Sequence, residues 1–173
     1  MKKSYLMLLL VAMFALVACD MNWGIPSNSE CETSINNLIE QSQDFDASDI
    51  AQWLPGAWSE YSIIIYDENW ETIEKVLKYN GNWDDELAGG ANGQYTFTAE
   101  GNGTYSYTPE YPPVEKTFSF AWQYEESDKT LVLSGEWNNH FKVSGFNGEY
   151  IILDSYDTVN KHNERQILKK KVE

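Results

Sequence analysis

Apolar and polar positions along this chain follow three successive patterns. Residues 5–17 are almost wholly apolar, with Leu6, Leu8, Leu9, Leu10, Val11, Phe14 and Leu16 behind a basic start at Lys2 and Lys3. Residues 20–32 have no period and contain Asn, Ser, Gly and Pro, which predicts a flexible tether. Over residues 33–53 apolar positions return at helical spacing. Ser34 is placed to cap a turn carrying Ile35, Leu38 and Ile39 on one face. Asp46 to Asp49 precede a second short turn with Ile50 and Trp53, and Pro55-Gly56 ends it.

From residue 57 onward the period is two. Aromatic and β-branched residues alternate with polar ones, punctuated by Gly, Asn, Asp or Pro. Nine strands are predicted, over 57–66, 70–79, 95–99, 104–108, 116–124, 130–134, 140–144, 150–155 and 165–171. Tyr61, Ile63 and Ile65 share one side of the first. Glu100-Gly101-Asn102-Gly103 is a tight-turn signal, and Pro109, Pro112 and Pro113 break the ladder after the fourth strand. Short, regular spacing without long helices excludes a parallel α/β sheet. It favours an antiparallel meander; closing it into an up-and-down barrel of eight or nine strands removes exposed edges, and a two-sheet sandwich is the alternative, since strand count alone does not separate the two. The expected organisation is an export segment at 1–18, a tether at 19–32, a short helical segment at 33–55 and an all-β barrel at 56–173.

Charge narrows the partners. The export segment contains two lysines and no acids, so its removal leaves ten basic and 27 acidic residues, a net charge near −17. That argues against nucleic acid and against attraction to anionic lipid head groups. The two cysteines are Cys19 and Cys31, too few for a disulfide framework. Cys31 falls in the predicted tether as a lone thiol.

The run Leu16-Val17-Ala18-Cys19 closes the apolar segment, which is too short to span a bilayer comfortably. It resembles the lipobox of bacterial lipoproteins. The resemblance implies cleavage before Cys19, acyl chains such as palmitate on that residue, and attachment to the outer membrane on either of its sides. More than one acyl chain, at roughly 0.8 kcal/mol per buried CH₂, holds a domain without help from its surface.

Gly56-Ala57-Trp58, opening the first strand after a short helix, is similar to the Gly-x-Trp signature of lipocalins. Together with Tyr95-Thr96-Phe97, Gly101-Asn102-Gly103-Thr104, Phe120-Ala121-Trp122 and Leu131-Val132-Leu133, it resembles the lipocalin-like lipoproteins of Bacteroides and its relatives. The likeness covers about residues 54–171. It implies an up-and-down barrel holding a small apolar ligand, with a basic residue of the last strand lying across the signature tryptophan. Arg165, the single arginine, is the candidate; Gly56, Trp58 and Arg165 are then fold residues.

Two ligand sites compete. The predicted inward face carries Tyr95, Tyr105, Tyr107, Phe120 and Trp122, and further along Tyr150 and Ile152. A barrel of eight strands either fills with such side chains or holds one small molecule, and buried tyrosine hydroxyls need partners that a ligand or water can supply. The alternative is a solid barrel whose loop aromatics Trp83, Tyr111 and Trp137 meet a glycan or a protein. These loops are expected at the end shared with Gly56, with the tight turns at the opposite end, and the plainer reading of their aromatics is packing on the N-terminal helices and Trp53.

Metal and catalytic chemistry are weakly supported. His140 and His162 stand apart from ligand-spaced partners. Asn80, Asn82, Asp84 and Glu86 alternate like calcium ligands, but Asp85 stands where an EF-hand loop has glycine. There is no Gly-x-Ser-x-Gly and no phosphate loop. The expectation is a monomeric, lipid-anchored binding protein that is not an enzyme and needs no cofactor.

Overall fold

The computed structural model describes residues 28–42, 49–83, 92–109 and 112–172. Cys19 with its export segment, residues 46–48 and Tyr111 lie outside the described residues. Among the described residues two helices, α1 (Asn28–Glu40) and α2 (Ile50–Trp53), precede ten strands: β1 (Gly56–Tyr66), β2 (Ile73–Tyr79), β3 (Asn82–Trp83), β4 (Gln94–Phe97), β5 (Asn102–Tyr107), β6 (Lys116–Glu125), β7 (Thr130–Gly135), β8 (Asn139–Phe146), β9 (Tyr150–Asp157) and β10 (His162–Lys170). No described helix is long and apolar enough to cross a membrane.

The strands form one antiparallel sheet in the order β10-β9-β8-β7-β6-β5-β4-β1-β2-β3, and β10 also pairs with β1. That last pairing, from Trp58↔Lys170 to Tyr66↔Asn163, closes an up-and-down barrel of eight strands, β1 with β4 to β10. The closure decides for the barrel over the sandwich and gives the lipocalin-like architecture. β2 and β3 are an additional hairpin. They exist because β1 is long enough to serve two neighbours: its first half pairs with β4 (Gly56↔Phe97), its second with β2 (Tyr66↔Ile73).

Extra strands reverse the expected ends. A β2–β3 excursion outside the wall adds no net crossing of the barrel. Hence the tight turns after β4, β6 and β8 lie at the Gly56 end. The connections after β5, β7 and β9 lie at the other end, the mouth. At the Gly56 end α2 acts as a plug: Leu54 is fully buried, and Trp53 stacks on Phe146 with centroids 3.9 Å apart. Gly56 has φ +127°, a conformation open to glycine but costly for other residues, so it can turn the chain from α2 straight into the wall.

A β-bulge between Glu60 and Ser62 switches the face that β1 presents. Ile63 faces the interior, whereas Tyr61, expected on the same side as Ile63, faces out, against Tyr150 at 5.1 Å. Glu60, one residue earlier, faces in. A second irregularity, between Val143 and Gly145, accompanies the same reversal on β9. There Ile151 and Leu153 join the interior, while Tyr150 belongs to the outer cluster and Ile152 pairs with Gly145.

Helix α1 covers the outside of β1, β2 and β10. It begins at Asn28, earlier than the expected start at Thr33, and takes in the last residues of the predicted tether. Cys31 is therefore not a tether thiol: it is fully buried with Ile35 against Ile64, Val76 and Ile167. This second core explains why Ile63-Ile64-Ile65 is apolar on both faces.

Candidate functional site

The barrel interior is filled from the plug to mid-height. Trp58, Tyr95, Leu131, Leu133, Phe141 and Leu168 are all at most 1% exposed. Phe97 meets Phe120 at 5.5 Å and Trp122 edge-on at 6.2 Å, and the Trp122 indole donates to the Thr98 carbonyl at 3.1 Å. Phe120 and Trp122, expected in a ligand site, are thus core and turn-closing residues. Tyr95 packs between Phe97 and Tyr105, with ring centroids 6.0 and 4.6 Å away.

At the mouth a chamber of about 420 Å³ remains, lined by Glu60, Ile63, Leu77, Tyr105, Tyr107, Trp137, Asn139, Glu164 and Gln166. It opens because β2 leaves the wall beside the upper half of β1, while β4 only begins level with Ser59. Tyr105 and Tyr107 line it as the sequence predicts.

Trp137 was expected on a loop surface at the plug end. Instead it folds into the mouth and stacks on Tyr105, with centroids 4.1 Å apart and planes 22° apart. Its loop is held firmly. Ser119 O accepts from the backbone N–H of Glu136 at 2.9 Å, the Glu136 carboxylate accepts from Ser119 N at 2.8 Å, and Asn138 bonds both backbone groups of Gly135. Trp83 lies in the outer hairpin, opposite Lys78 in register. Trp137 therefore joins the interior set.

The polar part of the chamber was not read from the sequence. Glu60 is 5% exposed; its carboxylate accepts from the Tyr105 hydroxyl and from Gly93 N–H, each at 3.0 Å. Gly93 must lack a side chain, because a methyl there would collide with that carboxylate. Burial pushes the Glu60 carboxyl above its ordinary range; the Lys78 ammonium and the two hydrogen bonds pull it back in part. Lys78 is 1% exposed and donates to Asn92 at 2.8 Å; burial pulls its ammonium down, and Glu60 opposes the shift. A second chain of contacts runs from the Tyr95 hydroxyl to Gln166 Oε1 at 3.3 Å, and from Gln166 Nε2 to Glu164 at 2.6 Å. Burial, then the nearby Glu60 charge, pushes both the Tyr95 and Tyr105 hydroxyls up, so they stay protonated as donors. Trp137 Nε1 is buried without a well-formed hydrogen bond and faces the Tyr95 hydroxyl.

Arg165 does not lie across Trp58. It sits on the outer face, bidentate to Asp154 at 2.7 Å on both contacts, over Trp70 at 5.0 Å and Tyr66 at 5.3 Å. The cation over Trp58 is Lys170, at 5.3 Å from the ring and 2.8 Å from the Trp53 carbonyl. Position explains the difference: Lys170 pairs with Trp58 across the closing seam, whereas Arg165 pairs with Ile64 half a strand away. An outer groove of about 740 Å³ surrounds Arg165 and includes Trp70, Lys142, Asp154 and Tyr156. Its central charges satisfy each other, with Ser144 also donating to Asp154.

No protein-family model matches this chain, and no curated protein matches it. Among solved structures it is similar to a deswapped triple mutant of bovine odorant binding protein, at 14% identity and a TM-score of 0.41, covering 70% of this chain and 76% of that one. It is also similar to insecticyanin from the tobacco hornworm Manduca sexta, at 16% identity and a TM-score of 0.41, covering 75% of this chain and 66% of that one. These are distant likenesses of fold. The barrel rests on its own strand pairing. No group of three or more metal-ligating side chains occurs among the described residues.

Proposed function

We propose that this protein is a lipid-anchored binding protein of the bacterial envelope, taking a small amphipathic molecule into the mouth of its barrel. The chamber carries the reading. It is a concave site within the ~300–1,000 Å³ typical of small-ligand pockets, with aromatic and aliphatic walls and a few fixed polar groups. The filled lower barrel limits the ligand to the upper half. Burial of an apolar body against Tyr107, Leu77 and Trp137 supplies the driving force, and the Glu60 and Glu164 networks orient its polar end.

A solvatochromic probe, N-phenyl-1-naphthylamine, tests the site. Its emission is expected to rise and shift to the blue with the purified protein. Leu77→Trp, which fills the chamber from the half-exposed side of β2, is expected to weaken probe binding at least ~10-fold with little change in melting temperature. Unchanged binding in that variant would place the probe elsewhere and defeat the reading.

The anchor is a separate part of the proposal and rests on the Leu16-Val17-Ala18-Cys19 run. Cys19→Ser is expected to move the protein from the membrane fraction to the soluble fraction, and to remove the mass of its acyl chains. A variant that still sediments with membranes and keeps its mass would rule out lipidation at Cys19.

A further inference from the structure

We propose that the mouth chamber selects a protonated amine carried on an apolar or aromatic body. The inference rests on reading the chamber as a ligand site and adds the charge of the ligand.

The direction of the hydrogen bonds supports it. The hydroxyls of Tyr95 and Tyr105 and the amide N–H of Gln166 all donate to protein acceptors, namely Gln166, Glu60 and Glu164. The two hydroxyl hydrogens and one of the two Gln166 amide hydrogens are therefore committed. What remains turned to the space is chiefly acceptor capacity, since each carboxylate oxygen can accept more than one bond. None of the described residues lining the chamber is basic, and two are carboxylates. Glu60 is balanced from behind by Lys78, so Glu164 is the carboxylate left to pair with a ligand. Asn139 turns its amide oxygen back to His140 N–H, so its nitrogen is a neutral donor on the wall, as is the Trp137 indole N–H.

The walls suit a cation as well. Trp137 and Tyr105 form one stacked pair, and Tyr107 and Phe118 a second, with centroids 6.1 Å apart and planes at 20°. Phe118 and Trp137 join the pairs at 5.6 Å. An ammonium held within about 6 Å of such ring faces is stabilised by their quadrupoles, more so where water is excluded. On the rim, Lys116 already lays its ammonium 5.7 Å over the Tyr107 ring, so that face accepts a positive charge. A carboxylate ligand would meet two like charges and would have only neutral donors, the Asn139 amide and the Trp137 indole N–H, to offset them. A neutral ligand would leave Glu164 without a new partner.

The test is calorimetry on the purified full-length protein at pH 7 and physiological salt with three probes of one ring system: tryptamine (cation), indole (neutral) and indole-3-acetate (anion). Tryptamine is expected to bind at least ~10-fold more tightly than indole, the scale of one hydrogen bond to a charged group, with indole-3-acetate weakest. Glu164→Gln is expected to bring tryptamine down to the level of indole while leaving indole unchanged. Leu77→Trp is expected to remove tryptamine binding. Retention there would mean attraction to the acidic surface and would overturn the inference. So would equal or tighter binding of indole or indole-3-acetate, or a cation preference that survives Glu164→Gln. If the indoles rank wrongly while N-phenyl-1-naphthylamine still binds, the amine selectivity fails and the chamber stands. If neither the indoles nor the naphthylamine binds, both fail.

Discussion

Lys78→Met is expected to destabilise the barrel by about 3–5 kcal/mol at neutral pH, because it leaves the buried Glu60 carboxylate without its compensating charge. The double variant Glu60→Gln, Lys78→Met should recover most of that loss, since removing both charges also removes both desolvation costs. The pH dependence has a definite sign. Glu60 has a folded-state pKa raised above the ordinary 4.5. Its protonated form therefore contributes stability that is fully present below 4.5 and is lost as pH rises through the folded value. Without Lys78 the carboxyl moves higher still. The deficit of Lys78→Met should accordingly shrink on acidification, in a window that opens above 4.5. Urea denaturation of the wild type and the two variants across pH measures this. A deficit independent of pH and unrelieved by Glu60→Gln would mean that Lys78 matters only for the packing of its stem.

Trp58→Ala should cost a similar ~3–5 kcal/mol, and lower the melting temperature by roughly 10 °C in a domain of this size. Trp58 is fully buried, meets Phe146 edge-on at 6.3 Å, and donates its indole N–H to the Leu54 carbonyl at 2.8 Å. It therefore ties the α2 plug to the closing seam of the barrel. Trp58→Phe keeps most of the buried area and should cost clearly less, chiefly the hydrogen bond. Lys170→Met should be milder again, because the ammonium adds only a cation–π contact and one bond to Trp53 O at the barrel end. Differential scanning calorimetry ranks the three. Equal losses for Trp58→Ala and Lys170→Met would show that the cation, not the indole, fastens the plug.

The strands were largely legible because a wall buried on one side alternates strictly. The pattern over β6 to β8, with Phe120, Trp122, Leu131, Leu133 and Phe141 inward, reads directly. What misled was every place where the alternation changes phase. The bulge at Glu60 turned Tyr61 outward and carried a carboxylate into the interior, and the irregularity at Ser144 accompanied the change on β9. A local pattern of apolar residues does not reveal such shifts. The signal that was available is Glu60 itself, two residues after the inward Trp58 and so on the same pleat face before the bulge. The ends of the barrel were misread for a topological reason, since the β2–β3 hairpin has strand character but is not part of the closed wall. Arg165 was assigned to Trp58 as the single arginine, but reach along the seam decides the matter, and Lys170 is the residue in register. Of the candidate site, the aromatic half was legible in Tyr105 and Tyr107. The polar half, Glu60, Glu164 and Gln166, came together only through the closure of β10 on β1.

A crystal structure of the protein with N-phenyl-1-naphthylamine tests the central claim most directly. The probe should lie in the barrel mouth between Tyr107, Leu77 and Trp137. A probe found instead in the outer groove beside Trp70 and Tyr156, or an empty mouth at saturating probe, would contradict it.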